Sequence, residues 1–291
     1  MYFRMNPESV IQRVWANRLQ TALLIGVLSL FMAIAGYLLG GRDMALAAVL
    51  GALISAALAP WASPTLVLRH FRARPLYPQE APELHALVAR LAERAGLERP
   101  PALYLMPATV LNAFAVGEGR HAAICLSAGL LQALDREQLA GVLAHEMAHL
   151  RNRDTRLMGL ADLTSRMTHF LTGAALLLIV INLPFFLWGD AWLPWPVLLF
   201  LMFGPTVVDL LQLALSRTRE YQADAVAAVL LGTPVPLIRA LAALERGQGV
   251  WERLFMAKRR LNEPSVLRTH PPTEERIARL QEMLEVADRL S

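Results

Sequence analysis

Between Leu19 and Gly41 the chain carries no charged side chain for 23 residues, and Met44 to Leu68 repeats this for 25. A helix crosses the hydrocarbon core of a bilayer with about 20 apolar residues, so each run is long enough to be a membrane span. Arg42-Asp43 between them predicts a tight hairpin tip. A cleaved signal peptide fits poorly, because the apolar core is too long and a second span follows at once. Two later runs are similar: Met167–Gly189 holds His169 as its one titratable group, and Ala191–Ser216 holds Asp209. Pro184, Pro194, Pro196 and Pro205 interrupt this second pair, which predicts a kinked or partly inserted helix. A buried hydrophobic hairpin of a soluble domain is the alternative for it.

Composition agrees. Of 291 residues, 55% are hydrophobic and 18% charged, against about 45–50% and about 25% in an ordinary soluble domain. Disorder and nucleic-acid binding are poor readings of such a chain, although its formal charge is +4. One cysteine, Cys125, excludes an intramolecular disulfide framework and a Cys-rich zinc module. Arginine placement sets the expected orientation. Arg4, Arg13 and Arg18 precede the first run, and Arg69, Arg72 and Arg74 follow the second. Arg151, Arg153, Arg156 and Arg166 precede the third, and Arg217 and Arg219 follow the fourth. Both termini and the polar segments are therefore expected in the cytoplasm, whose reducing conditions suit a lone thiol.

The expected fold is a mainly α membrane protein with a small β-sheet. It has four transmembrane helices and a cytoplasmic α+β part. Its segments are an N-terminal hairpin (1–75), a first polar part (76–166), a second hairpin (167–216) and a second polar part (217–291). Leu84, Leu87, Val88, Leu91 and Ala95 form one helical face, ended by Gly96. Ala102–Met106, Asn112–Val116 and Ala122–Leu126 favour strands, and Gly117-Glu118-Gly119 predicts a hairpin between the last two. Asp135 with Gln138 three residues on is a capping-box signature opening a helix into the early 150s. Helix after the fourth run is expected to stop near Leu231, at Gly232 and Pro234. Val250–Leu261 reads as a packed basic helix or an interfacial one. Gly36 and Gly40 are either a small-residue packing pair or turn glycines.

His145-Glu146-Met147-Ala148-His149 carries the chemistry. On a helix, residues four apart share a face about 6 Å along the axis, so both imidazoles can reach one Zn²⁺. Glu146, turned about 100° from His145, is placed to touch water rather than metal. The bland alternative is two surface histidines with a solvated glutamate. A catalytic zinc needs a third ligand. Glu220 is the candidate, with Asp224 one turn on to accept a hydrogen bond from the far nitrogen of a ligating histidine. An exposed acidic pair balanced by Arg217 and Arg219 is the alternative there.

HEMAH, then SRTREYQAD (216–224), then THPPTEERI (269–277), with Asn112-Ala113-Phe114-Ala115 before the first, resembles the HtpX-type membrane zinc metalloproteases. These are relatives of the type I CAAX prenyl endopeptidases, and the similarity covers nearly the whole chain. It implies a gluzincin-type protease domain holding one Zn²⁺ on His145, His149 and Glu220. Glu146 would be the catalytic base, Asp224 the supporting carboxylate and His270 the transition-state stabiliser. Asn112, Ala113, Phe114 and Ala115 would form the substrate-binding edge. It further implies hydrolysis by a zinc-activated water of misfolded or membrane proteins, in quality control at a bacterial inner membrane. Membrane lipid is the other expected partner, nucleic acid is not one, and the oligomeric state stays open. If the fourth run continues into the ligand helix, Glu220 lies about 6 Å of helix beyond Ser216. Two other functions are open on the residues: a catalytically silent membrane scaffold or chaperone with a structural zinc, or a transporter using Asp209.

Overall fold

The computed structural model describes residues 7–58, 64–189, 195–247 and 271–290. His270 and the Val250–Leu261 segment lie outside them. The chain divides into two units. One comprises Met1–Val14, Ala62–Arg156 and Ser216–Ser291; the other comprises Trp15–Trp61 and Leu157–Leu215.

The apolar unit is helical. Helix α1 (Pro7–Leu58) breaks at Gly40 (φ −154°, ψ 22°) and Gly41 (φ 72°, ψ −157°). The reversal thus sits just before Arg42-Asp43, because Gly41 adopts a left-handed φ that costs a glycine little. A Cβ on Gly36 would lie 2.7 Å from Met44 O and 2.8 Å from Ala45 Cα. Eight residues along one straight helix would separate these groups by about 12 Å, so the two arms fold back on each other. Gly36 is a close-approach glycine and Gly40 a turn glycine. Phe31 stacks on Phe200, ring centroids 5.1 Å apart, and Ala35, Ala175, Val197 and Leu201 form a small apolar core.

Among the described residues one helical stretch, Ile25–Ile54, which includes the Gly40–Gly41 break, has the length and hydropathy of a membrane span, and Thr172–Leu187 is a shorter apolar stretch. The second hairpin belongs to α6 (Asp154–Leu187), which contains Pro184, and α7 (Trp195–Leu231). Leu30, Leu50, Ile54, Leu177, Val180 and Leu187 are exposed on these helices.

The polar unit is built around a four-stranded mixed sheet in the order β1-β2-β4-β3. Its strands are β1 (Arg74–Pro75), β2 (Ala102–Met106), β3 (Ala113–Val116) and β4 (Ala123–Ser127). β3 and β4 form the expected antiparallel hairpin, with Phe114 opposite Cys125. β2 pairs parallel to β4, Leu103 opposite Ile124, which leaves β3 at one edge. β4 is buried along its whole length, as a central strand covered on both faces must be. Burial pushes the Cys125 thiol up to about 12, so it is inert core.

Short helices α2 (Pro64–His70) and α4 (Ala128–Ala133) flank the sheet. The Ser127 hydroxyl caps α4, accepting from Leu130 N and also from Asn112 N, each at 3.1 Å. Helix α3 (Pro82–Ala95) ends at Gly96 in the left-handed conformation (φ 69°). Helix α5 (Arg136–Asn152) opens with the full capping box of Asp135 and Gln138.

Every residue of α5 from Gly141 to Leu150 is buried. The helix packs against α3, β3 and α8 (Val235–Gly247), with Leu143, Ala144, Met147 and Ala148 fully enclosed. A second helix pair is closed by α9 (Thr273–Leu290) against α8. Gly141 sets the α5–α8 spacing, since a Cβ there would lie 2.7 Å from Leu237 N and from Pro236 C and O. Those are backbone atoms that cannot rotate away. Gly141→Ala is therefore expected to destabilise the unit by about 1–3 kcal/mol, despite a helix-propensity gain of up to about 1 kcal/mol. Chemical denaturation in detergent measures the difference.

Candidate metal centre

The HExxH segment lies in the middle of a buried helix rather than on a surface. His145 is 5% exposed, Glu146 8% and His149 3%, which removes the reading of solvated histidines. Their Nε2 atoms face each other at 3.2 Å. Helix α7 brings Glu220 against both, with Oε2 3.4 Å from His145 Nε2 and Oε1 3.6 Å from His149 Nε2. Donors held at about 2.0–2.1 Å around one tetrahedral Zn²⁺ lie about 3.3 Å apart; the histidine pair has that separation, and one donor atom from each of the three residues lies within 4.8 Å of the others. These three residues form the described group able to hold a metal.

The far side of each imidazole is fixed by a carboxylate. Asp224, one turn after Glu220 on α7, holds Oδ1 2.9 Å from His145 Nδ1. Asp154, at the start of α6, holds Oδ2 3.2 Å from His149 Nδ1. A carboxylate accepts but does not donate, so each Nδ1 is held protonated, and once a metal displaces any proton on Nε2 that nitrogen would present its lone pair to the centre. Asp224 is gripped in turn by Arg276 of α9, whose Nε donates to Oδ2 at 2.8 Å and whose NH2 donates to Oδ1 at 2.6 Å. Arg276 NH1 also lies 3.6 Å from Glu220 Oε2.

Burial alone would raise the Asp224 pKa, but Arg276 and His145 outweigh it and hold the carboxyl below its ordinary value. Burial opposes the Arg276 charge too, and Asp224 more than restores it. Arg219 is buried as well; desolvation lowers its pKa, while the charges of Asp154 and Glu220 oppose that fall.

Every buried charged side chain among the described residues belongs to this cluster: Glu146, Asp154, Glu220, Asp224, Arg219 and Arg276, with the two histidines. With neutral imidazoles the four carboxylates exceed the two guanidinium groups by two negative charges. Buried charge of that size is not tolerated uncompensated, and one divalent cation neutralises it. The donor set of two imidazoles and a carboxylate suits zinc.

Asp135, Asp224, Glu220 and the histidines lie where the sequence predicts. The sequence does not mark Asp154 as a second histidine-bound carboxylate, nor Arg219 and Arg276 as buried. Arg219 reads as a surface counter-charge, and only Arg217 of that pair is exposed. Arg276 lies within the Thr269–Ile277 motif but has no helical or ligand spacing to mark it. Asn112 and Ala113–Ala115 lie at and on the edge strand. The Asn112 backbone is fixed by Ser127, whose N–H donates to Asn112 O at 2.9 Å, and Phe114 is buried among Leu68, Met106 and Cys125.

Two expected outcomes follow from this electrostatic design. Without metal, burial and the Arg276 charge push the His145 pKa down, but hydrogen bonds to Asp224 and Glu220 dominate and raise it to about 10. The metal-free site thus holds an extra proton at pH 7 that zinc must displace. Uptake of zinc is expected to release about one proton from His145 and to strengthen roughly tenfold per pH unit above neutrality. Calorimetry in buffers of different ionisation enthalpy counts the proton. Arg276→Lys is expected to destabilise the unit by roughly 3 kcal/mol, because an ammonium cannot reproduce the two-pronged grip. Denaturation of the metal-free protein tests this apart from metal binding.

Comparison with known proteins agrees with the geometry. A family model described as "Peptidase family M48" matches residues 78–284, which include His145, Glu146, His149, Glu220, Asp224 and Arg276. A "Protease HtpX homolog" of Pyrococcus abyssi is 35% identical over 285 residues, covering 90% of this chain and 92% of the relative. Another, of Acidiphilium cryptum, is 38% identical over 288 residues, covering 92% and 96%. The crystal structure of S. mikatae Ste24p aligns with a TM-score of 0.48 at 16% identity. That alignment covers 93% of this chain and 66% of the longer one. By the extent of the family match and of these relatives, the chain belongs to peptidase family M48 and is a metallopeptidase.

Proposed function

We propose that this protein is a zinc-dependent endopeptidase anchored in a membrane, acting on misfolded or membrane proteins in quality control. The convergence of His145, His149 and Glu220 around one point, beside the buried Glu146, carries the reading. When bound, zinc supplies a Lewis acid that polarises the scissile carbonyl and acidifies the attacking water. Glu146 takes the proton from that water and delivers it to the leaving amine. His270 donates to the developing oxyanion. Asp224, clamped by Arg276, keeps His145 in its ligating tautomer through these steps.

Substrate lies along the β3 edge, where an extended peptide adds as a further strand and makes main-chain hydrogen bonds that ignore sequence. The edge position of β3 and the partial accessibility of Asn112, Ala113 and Ala115 support this. Four long apolar runs and the exposed leucines of α1 and α6 support two spanning hairpins with lipid around them. The arginine distribution supports cytoplasmic termini and a cytoplasmic active site, in a bacterial inner membrane. Glu220 follows the last long apolar run by four residues, which supports membrane proteins or their membrane-proximal segments as substrates.

The test is cleavage of casein in detergent by zinc-loaded wild type and Glu146→Gln. Wild type is expected to cleave, while the variant binds one zinc and cleaves about 10²–10⁴-fold more slowly. A zinc-loaded wild type that leaves casein and a membrane-protein substrate intact would sink the reading in favour of a silent scaffold.

A further inference from the structure

We infer that Asp154 is a positioning residue for His149 and thereby tunes how tightly the site holds its metal. The inference rests on the zinc reading above. Asp154 is 1% exposed and its Oδ2 lies 3.2 Å from His149 Nδ1. The backbone is bent to put it there. Arg153, between α5 and α6, is left-handed (φ 58°, ψ 35°), and its N–H closes onto His149 O and Leu150 O. A non-glycine residue rarely adopts that conformation, and it persists only where surrounding contacts impose it. Here Thr155 Oγ1 donates to Gly117 O at 3.1 Å, tying the corner to the β3–β4 turn. Had α5 run straight on, the residue five positions after His149 would have turned away by about 140°. The corner instead returns a carboxylate to the imidazole.

Arg219 neighbours the ligand Glu220 in sequence and is buried; desolvation lowers its pKa, and the charges of Asp154 and Glu220 oppose that fall without cancelling it. Each metal-binding histidine has its own carboxylate on the far nitrogen, Asp224 for His145 and Asp154 for His149; Arg276 grips the first directly. A carboxylate on the far nitrogen fixes tautomer and ring orientation and raises the ligand's basicity, and losing one costs metal affinity.

Asp154 also begins α6, where an acidic side chain favours the helix N-terminus. Asparagine caps a helix start about as well and can still accept from Nδ1–H, so Asp154→Asn removes the charge while keeping shape and cap. In the full-length protein in detergent, zinc affinity by chelator competition is expected to fall roughly 10–100-fold. Cobalt(II) in place of zinc is expected to show an altered visible spectrum, since the His149 ligand is reoriented. Asp154→Glu, which restores the charge, is expected to recover most of the affinity, and decides the matter if the asparagine variant does not fold. Wild-type zinc affinity and an unchanged cobalt spectrum in Asp154→Asn would overturn the proposal. So would a glutamate variant that binds as weakly as the asparagine one. A wild-type protein binding no more zinc than His149→Ala would instead overturn the zinc reading itself, a result visible before any Asp154 variant is measured.

Discussion

Two imidazole lone pairs and a carboxylate aimed at one point inside a dry core form the constraint on which the polar unit depends. His145 and His149 bring their Nε2 atoms within 3.2 Å, and Glu220 is fully buried against both. Nothing in an apolar interior favours that convergence by itself. It is held because α5 is enclosed on all sides from Gly141 to Leu150 and cannot rotate its histidines into water. Packing supplies the rigidity, and a bound divalent cation would supply the charge that the convergence lacks.

The same economy explains why all the described buried charges gather in one place. A buried ion pair seldom stabilises a fold relative to well-packed apolar side chains, so Arg219 and Arg276 are poor investments for stability alone. Arg276, with His145, holds the Asp224 carboxyl below its ordinary value although burial raises it. Without the Arg276 guanidinium, burial would push the Asp224 carboxyl toward protonation. A protonated Asp224 would lose its claim on the His145 Nδ1 proton, and the tautomer that presents Nε2 would no longer be enforced.

Local signals made much of this legible. The capping box at Asp135 and Gln138, the Gly96 stop of α3, the Gly117–Gly119 turn and the end of α7 at Leu231 all depend on neighbours in sequence, and all lie where the residues indicate. The four-residue spacings of His145 to His149 and Glu220 to Asp224 are equally local. What escaped depends on distant partners. β1 is two residues long and has no alternation to read; it exists because Leu105 and Tyr104 pair with it. The parallel pairing of β2 with β4 is set by tertiary packing. Arg219 and Arg276 look like solvated charges until α5, α6 and α7 surround them. The break of α1 falls at Gly40–Gly41 and not at the charged pair beside it, because backbone freedom decides where a helix reverses and charge decides only which end meets water.

The segments that make the centre are widely separated along the chain, and this determines how the site must form. His145, Glu146 and His149 come from α5, Asp154 from the corner after it, Glu220 and Asp224 from α7, and Arg276 from α9. The whole second apolar hairpin lies between the first and second groups. No single segment holds a neutral set of partners: α7 brings two carboxylates with one arginine, and α9 brings the second arginine. Each is costly to bury until the others arrive. The centre therefore assembles as one cooperative unit, and its geometry depends on α9 docking against α8 as much as on the helix that bears the histidines.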